Sequence, residues 1–90
     1  MNKIHILTAE MKNSERKRVM FPTINKKFTG INIRKMMDER GLIVKDIQQY
    51  LKLGSVQSVY HWLNGISLPT VDNLYALSYL FQVPVDDMLC

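Results

Sequence analysis

The chain has 90 residues, a formal net charge of +4, 47% hydrophobic residues and one cysteine. This length accommodates one small domain, and the hydrophobic content argues against wholesale disorder. The longest uncharged apolar run is far shorter than the ~20 residues of a membrane-spanning helix, and the first twenty residues make a poor signal peptide. Cys90 cannot form an internal disulfide, which favours a reducing compartment. We therefore expect a soluble, cytoplasmic protein.

The positive charge is concentrated towards the N-terminus. Residues 1–28 contain seven basic and two acidic residues, a net charge of +5. Residues 29–65 contain five basic and three acidic residues, a net +2, and residues 66–90 contain only three aspartates, a net −3. This polarity indicates that an anionic partner, such as nucleic acid, meets the N-terminal two thirds of the chain.

Residues 1–28 are predicted to form a basic, flexible leader ahead of a domain at 29–90. The first nineteen residues show no clean amphipathic period and contain the charge cluster SERKR. A second hypothesis is that Met20 is the native start, because the preceding ERKRV can be written in purine-rich codons that resemble a ribosome-binding sequence. N-terminal sequencing of the protein from its own host tests this hypothesis, which a first residue of Met1 or Asn2 rejects.

The rest of the chain divides into five short helical patterns, with no alternating strand pattern and no internal repeat. Capping residues and glycines mark most of the boundaries. The predicted segments are Thr29 (as N-cap) to Gly41, Lys45 to Lys52 with an end near Gly54, Ser55 (as N-cap) to Asn64, Thr70 to Gln82, and a last turn opened by Pro84. The sequence therefore predicts a compact all-α domain.

The third helix, within GSVQSVYHWLNG, has an apolar stripe that includes Val59, Trp62 and Leu63. Its other side carries hydrogen-bonding groups without full charge, among them Gln57 and Ser58. Base edges in the major groove present donors and acceptors rather than net charges, and glutamine can bond adenine through two atoms. Two short helices joined by a Gly-bearing turn suit the helix-turn-helix mode of DNA recognition. The same pattern also fits a surface helix that has no partner.

Residues 31–89 resemble the Xre-type, Cro and lambda-repressor-like helix-turn-helix family. The resemblance rests on a first helix of the kind IRKMMDERGL, a link NGISLPT, a fourth helix LYALSYLF and the ending VPVDDML. It implies a five-helix DNA-binding domain that forms a homodimer on a near-palindromic operator. The residues that match base-contacting positions are Ser55, Val56, Gln57, Ser58 and His61, to which we add Tyr60 because it follows Val59 in the same helix. Those that match phosphate-contacting positions are Arg34, Lys35, Lys45 and Asn64.

Three features depart from the family's pattern. Gln48 stands where a small residue is usual, and the turn Lys52-Leu53-Gly54 is one residue longer than the standard motif. Met37 and Leu63 occupy positions where many relatives pair an Arg with a Glu. Exchange of a partly buried ion pair for an apolar pair can be neutral or stabilising, so this departure is compatible with the fold. The longer turn bears on the angle at which the recognition helix enters the groove.

No catalytic or metal site is predicted. The only other histidine besides His61 is His5, and Asp86 and Asp87 suit the positive end of a helix dipole better than an acid pair. We predict a non-enzymatic, cofactor-free transcriptional regulator of a bacterial or phage-like cytoplasm, a repressor that inserts helix 55–64 in the major groove of double-stranded DNA. The alternative is a protein-interaction module such as an antitoxin or adaptor. Its interface would comprise Leu68, Tyr79, Phe81, Val85 and Leu89.

Overall fold

The fold is a bundle of five α-helices in the computed structural model, which describes residues 23–89. The helices are α1 (Lys26–Glu39), α2 (Val44–Leu51), α3 (Gln57–Leu63), α4 (Val71–Phe81) and α5 (Val85–Met88). The described residues form no strand, which confirms the predicted all-α five-helix fold. No helix among them is long and apolar enough to span a membrane. The predictions for residues 1–22, including a start at Met20, lie outside the described residues.

The first helix begins earlier than the sequence predicts. Asn25 is its N-cap, because the side-chain oxygen of Asn25 accepts a hydrogen bond of 3.0 Å from the backbone N–H of Phe28. Thr29 lies inside the helix and is 1% exposed, so its predicted role as N-cap is wrong. Residues 26–28, which the sequence analysis places in the leader, form the first turn of α1.

A close contact with α3 explains why a glycine, Gly30, stands inside α1, where the Thr-Gly pair disfavours helix. A Cβ atom at Gly30 would lie 2.4 Å from the carbonyl oxygen of Trp62 and 2.8 Å from that of Leu63. Backbone oxygens cannot rotate aside as a side chain can. The missing side chain therefore allows α1 to pack directly against the C-terminal end of α3.

All five helices contribute to one hydrophobic core. Trp62 is buried, as the sequence predicts, and Met37 and Leu63, the predicted apolar substitutes for an ion pair, belong to the same cluster. The buried residues are Ile33, Met37, Ile47, Val59, Trp62, Leu63, Leu77, Phe81 and Met88. Phe81 is therefore part of the core and is unavailable to the interface proposed in the alternative hypothesis.

Arg40 joins the end of α1 to the end of α4. Its Nε and Nη2 donate to the carbonyl oxygen of Phe81 at 3.1 and 2.7 Å, and its Nη1 donates to that of Met36 at 3.0 Å. The guanidinium carbon also lies 5.4 Å from the centre of the Phe81 ring. A cation at the carbonyl end of a helix is favoured by the helix dipole, so Arg40 stabilises the bundle rather than a ligand.

The start of α4 is the one that the sequence predicts, with Thr70 at the N-cap. The Thr70 hydroxyl donates to the carboxylate of Asp72 instead of capping the backbone. This hydrogen bond, followed by one from the Asn73 backbone, holds the pKa of Asp72 below its ordinary value. The carboxylate therefore remains charged in the first turn, where the helix dipole favours it.

Four helices end with the same backbone motif. One or two positions after the last helical residue, one residue has a left-handed conformation. Its φ is 66° at Gly41, 58° at Lys52, 74° at Gly65 and 59° at Gln82. The next N–H then bonds to the carbonyl five residues earlier, which is the Schellman arrangement. These bonds run from Leu42 to Met37, from Leu53 to Gln48, from Ile66 to His61 and from Val83 to Ser78. The sequence predicts an end near Gly54, but α2 ends at Leu51 and the left-handed residue is Lys52.

The two ends without glycine carry an additional side-chain hydrogen bond. The Nε2 of Gln48 donates to the carbonyl of Leu53 at 3.2 Å, and the Oγ of Ser78 donates to that of Val83. A left-handed conformation costs a residue with a Cβ atom about 1–2 kcal/mol. One hydrogen bond contributes about 1 kcal/mol, which offsets a large part of that cost at Gln82, whereas at Lys52 the buried Oε1 of Gln48, unpartnered within residues 23–89, cancels the gain.

Replacement of Gly30 by Ala is expected to lower the free energy of unfolding by about 1–3 kcal/mol, because the new Cβ would overlap backbone oxygens of α3. Urea denaturation measures this change. Gly54→Ala is the control: nothing lies within 4 Å of a Cβ atom there, so its effect should stay within about 0.5 kcal/mol. Equal stability of the Gly30→Ala variant and the wild type would contradict the close contact.

Replacement of Lys52 by Gly is expected to raise the free energy of unfolding by about 1 kcal/mol, because glycine adopts the left-handed conformation without a Cβ clash. The Lys52→Ala control removes the same charge but keeps the Cβ atom, so it should not stabilise. Thermal and urea denaturation of the two variants measure the difference. Equal stability of the two variants would show that charge, and not backbone conformation, governs this position.

Candidate nucleic-acid interface

The third helix exposes the polar face that the sequence predicts. Its apolar side is turned into the core. Of the predicted base-contacting residues on the helix, Gln57, Ser58 and Tyr60 are exposed and His61 is half-buried. Asn64, a predicted phosphate contact just beyond the helix, is also exposed. The uncharged hydrogen-bonding groups are therefore accessible to a large partner.

The start of α3 differs from the prediction by one residue. Val56 is the N-cap, and no side-chain hydrogen bond caps the helix from it. Ser55, the predicted N-cap, instead precedes it, and its Oγ accepts a hydrogen bond of 3.3 Å from the N–H of Gln57. One N–H at this helix end is thus satisfied within the chain, which leaves fewer of them free to bind a phosphate.

One groove brings four of the ten predicted contact residues together. Arg34 of α1, Lys45 of α2, and Val56 and Tyr60 of the α3 segment line it. Lys35 is exposed on α1 but does not line this groove. The remaining lining residues are Met37, Asp38, Leu42, Ile43 and Val44. The groove therefore places two cations beside the N-terminal half of the polar face.

Two residues that line the groove, Ile43 and Asp38, are not among the contact residues predicted from the sequence. Ile43 is the N-cap of α2 and is 63% exposed, although the apolar run Leu42-Ile43-Val44 is typical of a core segment. Its backbone N–H bonds to the carboxylate of Asp46 at 2.9 Å, which fixes the start of α2. Asp38 brings a negative charge into the groove. Periodicity on α1 could have placed Asp38 beside Arg34, since residues four apart share a helix face.

The basic side chains at this surface form no ion pair within 4.0 Å among the described residues, although Asp38 lies in the same groove. Within residues 23–89, the ion pair closer than 4.0 Å joins Arg40 to Glu39, both near the end of α1. Arg34, Lys35 and Lys45 are exposed and take no part in such a pair. Unpaired surface cations can bind phosphate and release the counterions condensed on DNA. In the described part of the chain, no group of three His, Cys, Asp or Glu is placed to hold a metal ion.

The turn before α3 is held by Gln48. The backbone oxygen of Gln48 accepts from the N–H of Leu53 at 3.0 Å, and its side-chain Nε2 donates to the carbonyl of the same residue at 3.2 Å. An alanine or glycine at position 48 would offer no donor to that carbonyl. The two departures from the family's pattern, Gln48 and the longer turn, are therefore structurally linked.

Gln48 adds little net stability. Its Oε1 is buried and has no hydrogen-bond partner among the described residues. An unsatisfied buried acceptor costs about 1–3 kcal/mol, whereas the bond made by Nε2 contributes about 1 kcal/mol. The amide therefore constrains the turn at no gain in folding free energy.

Comparisons with known proteins agree with this geometry. Residues 33–88 match a family model described as helix-turn-helix, which is more than half of the chain. The chain therefore belongs to the helix-turn-helix family of the Xre, Cro and lambda-repressor type.

One solved structure, the crystal structure of the DNA-binding domain of BldD, has a similar fold. The TM-score is 0.61 and the sequence identity is 22%, over 73% of this chain and 94% of that domain. At this identity the likeness concerns the fold alone. No curated protein matches the chain in sequence.

Proposed function

We propose that this protein is a sequence-specific regulator of transcription that binds double-stranded DNA and places α3 in the major groove. The observation that carries the proposal is the composition of one surface. An exposed helix face offers uncharged donors and acceptors, and the cations Arg34 and Lys45 share a groove with Val56 and Tyr60 of the same segment. Neutral polar groups suit base edges and cations suit phosphates, so the surface divides the two tasks of DNA recognition.

The proposed roles follow from the side-chain chemistry. Gln57 pairs with adenine through its amide, Val56 contacts a thymine methyl group, and the hydroxyl of Ser58 bonds a base edge. Ser55, Tyr60 and His61 complete the base-contacting set. Arg34, Lys35, Lys45 and Asn64 bind phosphates on either side. The neutral face thus reads the sequence, while the surrounding groups fix the register of the protein on the duplex.

The proposed mode of regulation is repression by occlusion. Two copies that seat their α3 helices in successive major grooves, about 10 bp apart, cover a promoter and exclude polymerase. This arrangement needs a homodimer and a near-palindromic operator. Its site of action would be the cytoplasm of a bacterial or phage-infected cell.

We place the dimer surface on the outer face of α4. Val71, Tyr75 and Tyr79 follow one another at intervals of four residues and are 84%, 69% and 68% exposed. Exposed apolar stripes rich in tyrosine are typical of protein interfaces. Antiparallel pairing of two α4 helices puts Tyr75 at the two-fold axis and Val71 against Tyr79 of the partner subunit.

The area of this stripe bears on the strength of the dimer. The three side chains expose roughly 400 Å² in total, if an aromatic side chain presents about 150–250 Å² when fully exposed. A stable interface buries about 800 Å² per partner. The stripe thus supplies half of that area, which fits a weak dimer that assembles as it binds DNA.

The same stripe favours the alternative function, a protein-interaction module such as an antitoxin or adaptor. Of the five residues predicted for that interface, Tyr79 is exposed, Leu68, Val85 and Leu89 are half-buried, and Phe81 is buried. A partner protein would therefore meet the outer face of α4 rather than the C-terminal core residues. Binding to such a partner, without binding to any duplex, distinguishes the two functions.

Replacement of Gln57 by Ala is expected to weaken binding to the cognate duplex by about 1–3 kcal/mol and to change binding to random DNA much less. The cognate site comes from selection of bound duplexes from a random pool, and fluorescence anisotropy measures the affinities. Gln49→Ala, which removes an exposed glutamine on α2, is the matched control. Equal losses on both duplexes would remove Gln57 from base readout. Failure of the wild type to bind any duplex at low salt would favour the alternative function.

Replacement of Tyr75 by Lys is expected to weaken self-association at least tenfold, because it puts two like charges at the two-fold axis. Sedimentation equilibrium measures the dimer constant, and titration of a duplex with one half-site shows whether the DNA surface is intact. Tyr50→Lys, at an exposed tyrosine of α2, should leave self-association unchanged. A wild-type chain that is monomeric at high concentration and binds two half-sites without cooperativity would contradict the dimer.

A further inference from the structure

We infer that Gln48 is a positioning residue for the recognition helix. By holding Leu53 it fixes the path of residues 52–56, and that path determines where α3 meets a duplex. This inference rests on the proposed DNA-binding function and names the residue that sets its specificity without contact with DNA.

Hydrogen bonds to Gln48 fix the position of Leu53 in the turn. Both backbone polar groups of Leu53 are bonded to Gln48, one to its main chain and one to its side chain. The Leu53 side chain also packs against the hydrophobic core. Gln57, the first residue of α3, follows only four positions later. A change in the orientation of Leu53 would therefore shift the start of the recognition helix.

Gly54 and Ser55, the two residues that follow Leu53, do not fix the path by packing. A Cβ atom at Gly54 would have nothing within 4 Å, and Ser55 is exposed. Glycine is also the residue with the widest choice of backbone conformations. The hydrogen bond from Gln48 thus restrains the variable part of the connector at Gly54, which precedes the half-buried Val56 and the hydrogen bond from the Gln57 N–H to the Ser55 Oγ.

Folding stability does not account for Gln48. The amide oxygen that accompanies the bonded nitrogen is buried and without a partner among the described residues. A small or apolar side chain would avoid this cost. The amide is instead explained by the constraint that it places on the turn.

The chain contains a matched comparison. Ser78 holds Val83 in the same manner, with its backbone oxygen bonded to the N–H of Val83 and its side chain to the carbonyl. Gln82, like Lys52, has a left-handed conformation between the two bonded residues. This second pair of hydrogen bonds precedes α5 rather than the recognition helix. It should therefore serve stability alone.

The experiment compares Gln48→Met, which keeps the length of the side chain but removes the donor, with Ser78→Ala. For each variant and the wild type, fluorescence anisotropy gives the affinity for the selected duplex and for a scrambled duplex of equal length. Thermal unfolding gives the melting temperature. Amide hydrogen exchange of the free protein reports on residues 53–57 without DNA.

The two variants should show opposite patterns. Gln48→Met should lower the ratio of cognate to scrambled affinity at least fivefold and speed amide exchange in the turn, with a melting temperature within about 4 °C of the wild type. Ser78→Ala should lower the melting temperature by about 4–8 °C and leave the affinity ratio unchanged. A ratio that falls less than fivefold in Gln48→Met, or falls as far in Ser78→Ala, would overturn the positioning role.

A double variant keeps the inference testable if Gln48→Met unfolds more readily than expected. Gln48→Met with Lys52→Gly restores stability at the helix end through the backbone, since glycine adopts the left-handed conformation freely. The affinity ratio should remain low in this variant, and its recovery would overturn the inference. A wild-type chain that selects no duplex rejects the proposed function at the first step. Unchanged amide exchange in Gln48→Met rejects the positioning role alone.

Discussion

The carbonyl groups at the end of each helix need hydrogen-bond partners within a few residues, because the connectors are only three to seven residues long. Four helices meet this requirement by turning the chain through a left-handed residue. The turns redirect the chain sharply enough for five short helices to enclose one core. Arg40 adds a cation at the end of α4, where Phe81 presents its carbonyl. The position of α3, and with it the proposed DNA surface, depends on how these helix ends are closed.

Hydrophobic periodicity accounts for the parts of the fold that the sequence predicts. The five helices, the buried Trp62 and the exposed face with Gln57 all follow from a spacing of 3.6 residues. The features it misses depend on contacts distant in the chain. Gly30 is inside α1 because α3 lies against it, a reason that local propensity does not contain. The left-handed residue falls on Lys52 although Gly54 stands two positions later, since the bond partners of the turn, and not its most permissive residue, set the end of α2.

The candidate site was partly accessible to sequence reasoning for a similar reason. Residue chemistry indicates which side chains suit bases and which suit phosphates, and the described surface exposes most of them. Which of them share a groove depends on how α1, α2 and α3 pack, and that arrangement joins Arg34 and Lys45 to Tyr60 but leaves Lys35 outside. The partner of the Gln48 amide depends on the turn that follows it. No pattern within α2 itself points to Leu53.

The close approach at Gly30 has a consequence for the inheritance of this fold. Every other amino acid carries a Cβ atom, so any missense change of this codon pushes α1 against the backbone of Trp62 and Leu63. A second-site change that recovers the lost stability would have to move α1 and the end of α3 apart. Such a change would alter the position of the helix that we propose to lie in the major groove.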